Sequence, residues 1–242
     1  MCLCFATGAP IFGEYACDAM KVLLIDCEGR LLTTHRIRRM ARTMGIAPGD
    51  LRDRLYVVDA STVGAISEIS NLLAIEQIVN EHEIGMIGLD SYTTAMLAAN
   101  IEANSPQYAS LAQLLGRLGV LVLAVAHANK GIADGNEPSL NDIAYSGAVV
   151  ALSQTAIMVH YPDAQDRDTV RLTCGRAPET RFEGFDVRFH DEAEGGLSLH
   201  PVTRAARADV KQPPEVIRRL ARAGTNADLV ERLLADMDPT NA

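Results

Sequence analysis

Three short apolar runs, each followed at once by polar residues, constrain the fold of this chain more than any other feature. The runs are residues 21–25 before Asp26 and Glu28, residues 83–90 ending in Asp90, and residues 119–126 before His127, Asn129 and Lys130. Apolar runs of this length are typical of buried parallel strands. The carboxyl ends of such strands meet at one edge of an open α/β sheet, where ligands bind. The repetition therefore predicts one polar site at one edge of one sheet.

The segments between and after these runs predict how the sheet is completed. The apolar start, residues 1–13, is predicted to contain the end of a helix that Gly8 and Pro10 terminate. Further helices are predicted at residues 33–44, 65–82 and 106–118. Predicted further strands cover residues 55–58, and then 155–161, 169–174 and 185–189, which alternate as antiparallel edge strands do. Strand–helix–strand order favours parallel pairing. The predicted class is α/β, with a mostly parallel sheet flanked by helices and antiparallel edge strands toward the C-terminus.

Composition limits the class of protein and its compartment. Of 242 residues, 48% are hydrophobic, which is enough for a large core, and the net charge of −9 argues against a broad basic face for duplex DNA. The five cysteines form no Cys-x-x-Cys pair, which favours free thiols in a reducing cytosol over a metal site. The start has no basic region typical of a signal peptide, and no run approaches the ~18 apolar residues of a membrane span. We expect a cytoplasmic protein without a membrane partner.

The predicted domain organisation is a core over residues 1–200 followed by an appendage over residues 201–242. After Pro201 the composition becomes rich in Arg and Ala, and residues 214–236 have the pattern of one or two small helices around Gly224. We expect this appendage to be helical and to lie outside the core.

Five short motifs occur in an order that resembles RecA-like P-loop ATPases. They are Ile25-Asp26-Cys27-Glu28, Leu89-Asp90-Ser91, Ala126-His127-Ala128-Asn129-Lys130, Tyr145-Ser146-Gly147 and Gly175-Arg176. In particular, the chain resembles the RepA-type hexameric replicative helicases and the related AAA-type ATPases of plasmids and phages. The resemblance covers roughly residues 1–190 and implies ATP and Mg²⁺ as cofactors.

The resemblance implies a role for each motif. Glu28 matches the catalytic carboxylate that orients the water attacking the γ-phosphate. Asp90 matches the Walker B carboxylate that holds Mg²⁺ through its water shell, with Ser91 as its hydroxyl neighbour. His127 matches the sensor at the end of the fourth core strand.

Two further positions imply partners. Lys130 opens a loop, residues 130–142, that lies where the family contacts nucleic acid, so single-stranded DNA is a possible partner. Arg176 matches the finger that reaches the phosphate of a neighbouring subunit in a homo-oligomeric, hexameric ring. The family usually has a Lys two residues before this Arg, whereas this chain has Cys174.

One departure from the family is large. The chain has three lysines, Lys21, Lys130 and Lys211, and none lies in the Gly-x-x-x-x-Gly-Lys-[Ser/Thr] segment whose amides and lysine cradle phosphates. In the family this Walker A segment directly precedes the helix of residues 1–8, and its strand is central in the sheet. We expect the chain as given to be inactive as an ATPase and to lack a central strand partner. A reading frame that starts at an internal Met would explain the departure.

Other interpretations of the same residues stay open. Taken alone, an aspartate such as Asp90 is often only a strand-end carboxylate, and a histidine such as His127 is often a partly buried imidazole with its hydrogen bonds satisfied. Asp26 could form a hydrogen bond to a neighbouring loop instead of taking part in catalysis. The four arginines of the helix at residues 33–44 have the pattern of a solvated face, and Arg176 could form a surface ion pair. The competing functions are an ATPase motor of a helicase or translocase, a non-catalytic oligomerisation or docking protein of RecA fold, and an α/β domain without nucleotide.

Overall fold

The computed structural model describes residues 1–60, 69–98, 113, 115–128, 137–143, 150, 153–177, 184–192 and 196–202. These residues contain two four-stranded sheets. The first has strands β1 (Val22–Asp26), β2 (Leu55–Asp59), β3 (Met86–Asp90) and β4 (Leu121–Ala124), and the second β5 (Ala156–His160), β6 (Thr169–Arg176), β7 (Phe185–Glu192) and β8 (Gly196–Pro201). The helices are α1 (Cys2–Thr7), α2 (Arg30–Thr43), α3 (Ile69–His82) and α4 (Tyr92–Ala98), with short 3-10 helices at Pro48–Leu51 and Leu140–Asp142.

The first sheet is parallel throughout, in the order β2–β1–β3–β4. Both of its faces are covered. Leu23 and Ile25 of β1 pack in a cluster with side chains of α3 and α4, whereas Val22 packs on the other face with Phe5 of α1. Burial on both faces is the reason that β1 and β3 are continuous apolar runs in the sequence. The predicted α/β fold class is confirmed.

The last strand of the parallel sheet, β4, is less enclosed than its neighbours. Its side chains are half-buried or exposed, whereas those of β1 are all buried. Among the described residues β4 has β3 as its only strand partner. Strand β4 therefore forms one edge of the described sheet, and β2 forms the other.

The second sheet is an antiparallel meander in the order β5–β6–β7–β8. Its core contains Val170, Leu172 and Val187, and the cross-strand pair Arg171–Asp186 forms a bidentate ion pair with N···O distances of 2.6 and 3.0 Å. Strand β8 was not predicted, because its sequence, Gly-Leu-Ser-Leu-His-Pro, begins with Gly and ends with Pro, which are residues that strands disfavour.

Contacts from the first sheet's loops and helices hold the second sheet against it. The ring of Phe12 packs edge-on against Phe185 of β7, with centroids 6.0 Å apart. Arg39 of α2 binds the Asp191 carboxylate and donates to the Gly196 carbonyl at 2.9 Å, while Thr43 accepts from the N–H of Leu197. The expectation of a wholly solvated arginine face is therefore wrong for Arg39, because the β7–β8 hairpin covers it.

The predicted helices and strands agree with the structure within a few residues. Gly8 ends α1 with a left-handed φ of 75°, as the sequence predicted. The helix predicted at residues 33–44 spans Arg30–Thr43, and that predicted at residues 65–82 is described from Ile69.

Some predictions concern residues outside the described ranges. These are Lys130, Tyr145-Ser146-Gly147, most of the helix at residues 106–118, and the appendage beyond residue 202. The boundary at residue 200 stays a prediction. None of the helices in the described ranges has both the length and the apolar character needed to cross a bilayer.

Candidate functional site

The carboxyl edge of the parallel sheet carries one aspartate at the end of each of three neighbouring strands. Asp26 lies in register with Asp59 of β2 on one side and with Asp90 of β3 on the other. Parallel strands lie about 4.8 Å apart, and residues in register point to the same face. Asp26 is buried, with 1% of its surface exposed. The predicted edge site therefore includes a row of carboxylates from β2, β1 and β3.

Asp26 shapes the turn that carries Glu28. Its Oδ1 accepts hydrogen bonds from the backbone N–H groups of Glu28 at 2.9 Å and Gly29 at 3.0 Å. Side-chain-to-backbone bonds of this kind form an Asx turn. Gly29 caps α2 with a φ of 135°, a conformation that residues with a Cβ rarely adopt. Asp26 and Gly29 together set the direction in which Glu28 leaves the strand.

Glu28 and His127 meet although β3 lies between their strands. Glu28 Oε1 is 3.2 Å from His127 Nε2, and the hydroxyl of Thr94 donates to the same oxygen at 3.4 Å. Glu28 Oε2 accepts no hydrogen bond from any residue that the structure describes. The Glu28 side chain is 31% exposed and that of His127 is 52% exposed. One carboxylate oxygen is thus held by protein groups, and the other has no partner among the described residues.

Ser91 anchors the first turn of α4 beneath Glu28. It is fully buried, its Oγ lies 2.9 Å from Thr94 Oγ1, and it accepts from the Thr94 N–H at 3.2 Å. The peptide bond between Asp90 and Ser91 is cis. A chain of polar contacts therefore runs from Ser91 through Thr94 to Glu28 and His127.

Burial, and then the crowded carboxylates, perturb the protonation of two groups at this edge. Burial raises the pKa of Asp90, and the nearby carboxylates of Glu28 and Asp26 raise it further, against smaller opposing effects of Arg36 and His127. Burial, followed by the surrounding carboxylates, raises the pKa of the Cys27 thiol to about 12. The edge thus concentrates negative charge that a cation would relieve.

Oxygen ligands and uncompensated negative charge fit Mg²⁺, which prefers carboxylates and water. Asp90 is the residue that would hold the ion, whereas its neighbour Ser91 is fully buried with its hydroxyl bonded to Thr94. In the described part of the chain, no group of three or more His, Cys, Asp or Glu side chains is arranged to enclose a metal directly. The phosphates of ATP fit less well, because the sequence has no Walker A segment to cradle them.

The loop that starts after His127 has a fixed base. The N–H of His127 donates to Thr93 Oγ1 at 3.0 Å, and Ala128 forms an antiparallel bridge with Ile143 at the far end of the loop. Ser139 caps the 3-10 helix before that end by donating to the Asp142 carboxylate. The two ends of the loop predicted at residues 130–142 therefore lie together beside His127, while Lys130 is outside the described residues.

Arg176 lies elsewhere, at the end of β6 in the second sheet. Its Nη1 donates to the carbonyl of Val150 at 2.5 Å. The preceding residue, Gly175, contacts the loop base: a Cβ at Gly175 would lie 2.8 Å from Leu140 Cδ2. The structure thus brings Glu28, Asp90, Ser91 and His127 to one edge and leaves Arg176 on a different sheet.

Besides Asp59, sequence reasoning missed two residues of the site, Thr93 and Thr94. Both lie in the first turn of α4, one bound to the His127 backbone and the other to the Glu28 carboxylate. A signal was present, because a Ser followed three residues later by Thr directly after a strand has the spacing of a helix start. The interpretation of Asp26 as a partner of a neighbouring loop agrees with the observed turn.

The parallel sheet with carboxylates and a histidine at its carboxyl edge, followed by antiparallel strands, is the architecture of a RecA-like ATPase domain. The family model of the AAA domain matches residues 1–133, so the chain belongs to that family. No curated protein gives a significant match to the chain.

Solved structures show the same fold at low sequence identity. A KaiC-like protein from the hyperthermophilic archaeon Pyrococcus horikoshii OT3 has a TM-score of 0.52 at 15% identity, over 81% of this chain and 80% of that one. A DnaB-like replicative helicase, described with its interactions with primase, has a TM-score of 0.54 at 13% identity, over 74% of this chain and 50% of that one. A separately solved ATPase domain has a TM-score of 0.54 at 13% identity, over 74% of each chain.

Proposed function

We propose that this chain is the ATPase motor domain of a nucleic-acid helicase or translocase. The observation that carries the proposal is the contact between Glu28 and His127, 3.2 Å apart, beside the Asp90 strand end. Segments that are far apart in the sequence converge there on one sheet edge. The family and the fold of its neighbours support the same function.

Glu28 is the group proposed to orient and polarise the attacking water. Oε1 is held by His127 and Thr94, so the carboxylate has a defined orientation, and Oε2 is open for a hydrogen bond to water. A positioned carboxylate of this kind contributes about 10²–10⁴ to a rate. Geometry and charge supply most of the catalysis of phosphoryl transfer, so a fixed Glu28 orientation is what the reaction requires.

Asp90 is proposed to hold Mg²⁺ through the water shell of the ion, and Ser91, which is buried and bonded to Thr94, is proposed to fix the turn that follows Asp90. When bound, Mg²⁺ neutralises charge on phosphate oxygens and fixes their positions. The raised pKa of Asp90 supports this role, because the carboxylate lacks a cationic partner strong enough to offset burial and its acidic neighbours.

His127 is proposed to sense the γ-phosphate and pass its presence to the loop that begins shortly after it. Lys130 in that loop is proposed to contact single-stranded DNA. Arg176 is proposed to act on a neighbouring subunit, as expected for a homo-oligomeric ring, and its place on the second sheet, away from Glu28, is compatible with a contact in trans. We further propose a cytoplasmic protein with a core over residues 1–200 and a helical appendage over residues 201–242.

Residues 1–242 alone are proposed to hydrolyse ATP poorly, because no Walker A segment lies among them. The same absence favours a second candidate function, a non-catalytic RecA-fold protein that oligomerises or docks partners. The two candidate functions differ in whether the functional protein binds the phosphates of ATP.

The test starts from the in-frame nucleotide sequence upstream of Met1. If it encodes a Gly-x-x-x-x-Gly-Lys-[Ser/Thr] segment, the extended chain should hydrolyse ATP, and Glu28→Gln should lower kcat about 100-fold or more with little change in ATP binding. Asp18→Asn, an exposed acid away from the edge, is the matched control and should leave kcat unchanged.

Two results would reject the motor proposal. One is the lack of any such upstream segment, and the other is an extended chain whose hydrolysis survives Glu28→Gln. A defined oligomer in light scattering, with no ATP binding by residues 1–242, would then favour the assembly function.

A further inference from the structure

We infer that Asp26 and Thr94 are positioning residues for Glu28, an inference that rests on the proposed role of Glu28 in orienting water. Asp26 fixes the backbone from which Glu28 leaves β1. Thr94 fixes the carboxylate at the other end of the side chain. Neither residue needs to touch the reacting atoms, because each acts through Glu28.

The case for Asp26 comes from its burial and its two hydrogen bonds. Oδ1 accepts both the Glu28 and Gly29 N–H groups, whereas Oδ2 is buried and has no hydrogen-bond partner among the described residues. A buried carboxylate oxygen without a partner is destabilising, so the residue is costly to keep. What Asp26 supplies in return is a charge-assisted acceptor for two successive amides, which is stronger than a neutral one. This acceptor holds the turn in the shape that points Glu28 toward His127.

The case for Thr94 comes from the anchor behind it. Its N–H and its hydroxyl both contact Ser91 Oγ, and Ser91 is fully buried. The Thr94 hydroxyl is therefore held in place before it reaches Glu28 Oε1 at 3.4 Å. Hydrogen bonds at catalytic sites are often long in structures without ligand. Because Thr94 and His127 share Oε1, they leave Oε2 as the oxygen available to water.

The experiment uses the 242-residue chain and two pairs of variants. Thr94→Val removes the hydroxyl and Thr94→Ser keeps it, while Asp26→Ala removes the acceptor and Asp26→Asn keeps one oxygen. Asp18→Ala is the control, because it removes an exposed carboxylate away from the edge. The readout is the NOE between the His127 ring protons and the Glu28 γ-methylene protons, together with amide hydrogen exchange at Glu28 and Gly29.

We expect Asp26→Ala and Thr94→Val to abolish the NOE, and Asp26→Ala to accelerate exchange of the two amides about tenfold. Asp26→Asn, Thr94→Ser and Asp18→Ala should retain the NOE of the original chain. Retention of the NOE in Asp26→Ala and Thr94→Val would overturn the inference, as would its loss in the conservative variants or in the Asp18 control. If Asp26→Ala does not fold, the Thr94 pair decides.

Failure of the proposed function would look different. An original chain that shows no NOE between Glu28 and His127 would remove the geometry on which that function rests, and with it this inference. A retained NOE in the variants overturns only the positioning roles.

Discussion

Replacing Asp90 by Asn should stabilise the protein in the absence of Mg²⁺, although it removes a proposed functional group. Burial and the carboxylates of Glu28 and Asp26 raise the pKa of Asp90 above its ordinary value of 3.8, with Arg36 and His127 opposing them. Asp90 thus has an ordinary pKa in the unfolded chain and a raised pKa in the folded protein. At a pH between these two pKa values the folded state binds more protons than the unfolded state, so stability falls as the pH rises through that interval. Asparagine has the same shape and no charge, and it removes this loss.

The expected gain is about 0.5–1 kcal/mol at neutral pH, because interactions between partly exposed charges typically contribute no more than about 1 kcal/mol and solvent screens a half-buried carboxylate. A gain of this size raises the Tm of a chain of this length by about 2 °C. The gain should shrink toward zero as the pH falls below the ordinary carboxyl pKa of 3.8, where Asp90 is protonated in both the folded and the unfolded state.

Urea unfolding between about pH 4 and pH 8, with and without Mg²⁺, measures these effects. Asp18→Asn controls for the loss of one negative charge and should change stability little, since Asp18 is exposed. Asp186→Asn should destabilise, because it breaks the bidentate pair with Arg171. Mg²⁺ should stabilise the original chain but not Asp90→Asn. The reasoning fails if Asp90→Asn is destabilising at neutral pH, or if its effect does not depend on pH.

Two further predictions concern packing and thiol chemistry. Gly88→Ala should destabilise by about 1–2 kcal/mol in urea unfolding, because a Cβ there would lie 2.8 Å from Cys2 Sγ and 3.2 Å from Leu24 Cδ1. Adding Cys2→Ala to Gly88→Ala should relieve part of that loss. Gly116→Ala is the control and should not destabilise, because a Cβ at Gly116 would have no atom within 4 Å. Equal effects of Gly88→Ala and Gly116→Ala would contradict the packing argument. The pKa of Cys27 is raised to about 12. The rate at which iodoacetamide alkylates Cys27 should therefore keep increasing above about pH 10, and peptide mass spectrometry measures that rate. A plateau near the ordinary thiol pKa of 9.0 would refute the raised value.

The parallel sheet could be predicted from the sequence because its strands are buried on both faces. Such strands are continuous apolar runs that end in polar residues, as β1 and β3 do. Strand β8 could not be predicted in the same way. It is held by pairing with β7 and by contacts with Arg39 and Thr43 of α2, and such long-range partners leave no local pattern in the sequence.

The candidate site was predictable in its strand-end residues but not in their supports. Asp90 and His127 follow apolar runs, so their place at one edge follows from parallel topology. The hydroxyls of Thr93 and Thr94 bind partners 34 and 66 residues away in sequence. Only the three-dimensional arrangement shows which of several hydroxyls after Asp90 face the site.

Strands β7 and β8 pack on α2, the helix that begins directly after the turn that carries Glu28. The second sheet is therefore connected to that turn. Arg39 binds Asp191 and the Gly196 carbonyl, and it lies on the helix that Gly29 starts directly after Glu28. On the opposite side, Leu140 at the loop base packs against Gly175, next to Arg176. The second sheet is thus fixed both to the helix behind Glu28 and to the loop behind His127. A rigid-body shift of that sheet would have to disturb both members of the Glu28–His127 pair, so the orientation of Glu28 depends on contacts well outside the edge where it lies.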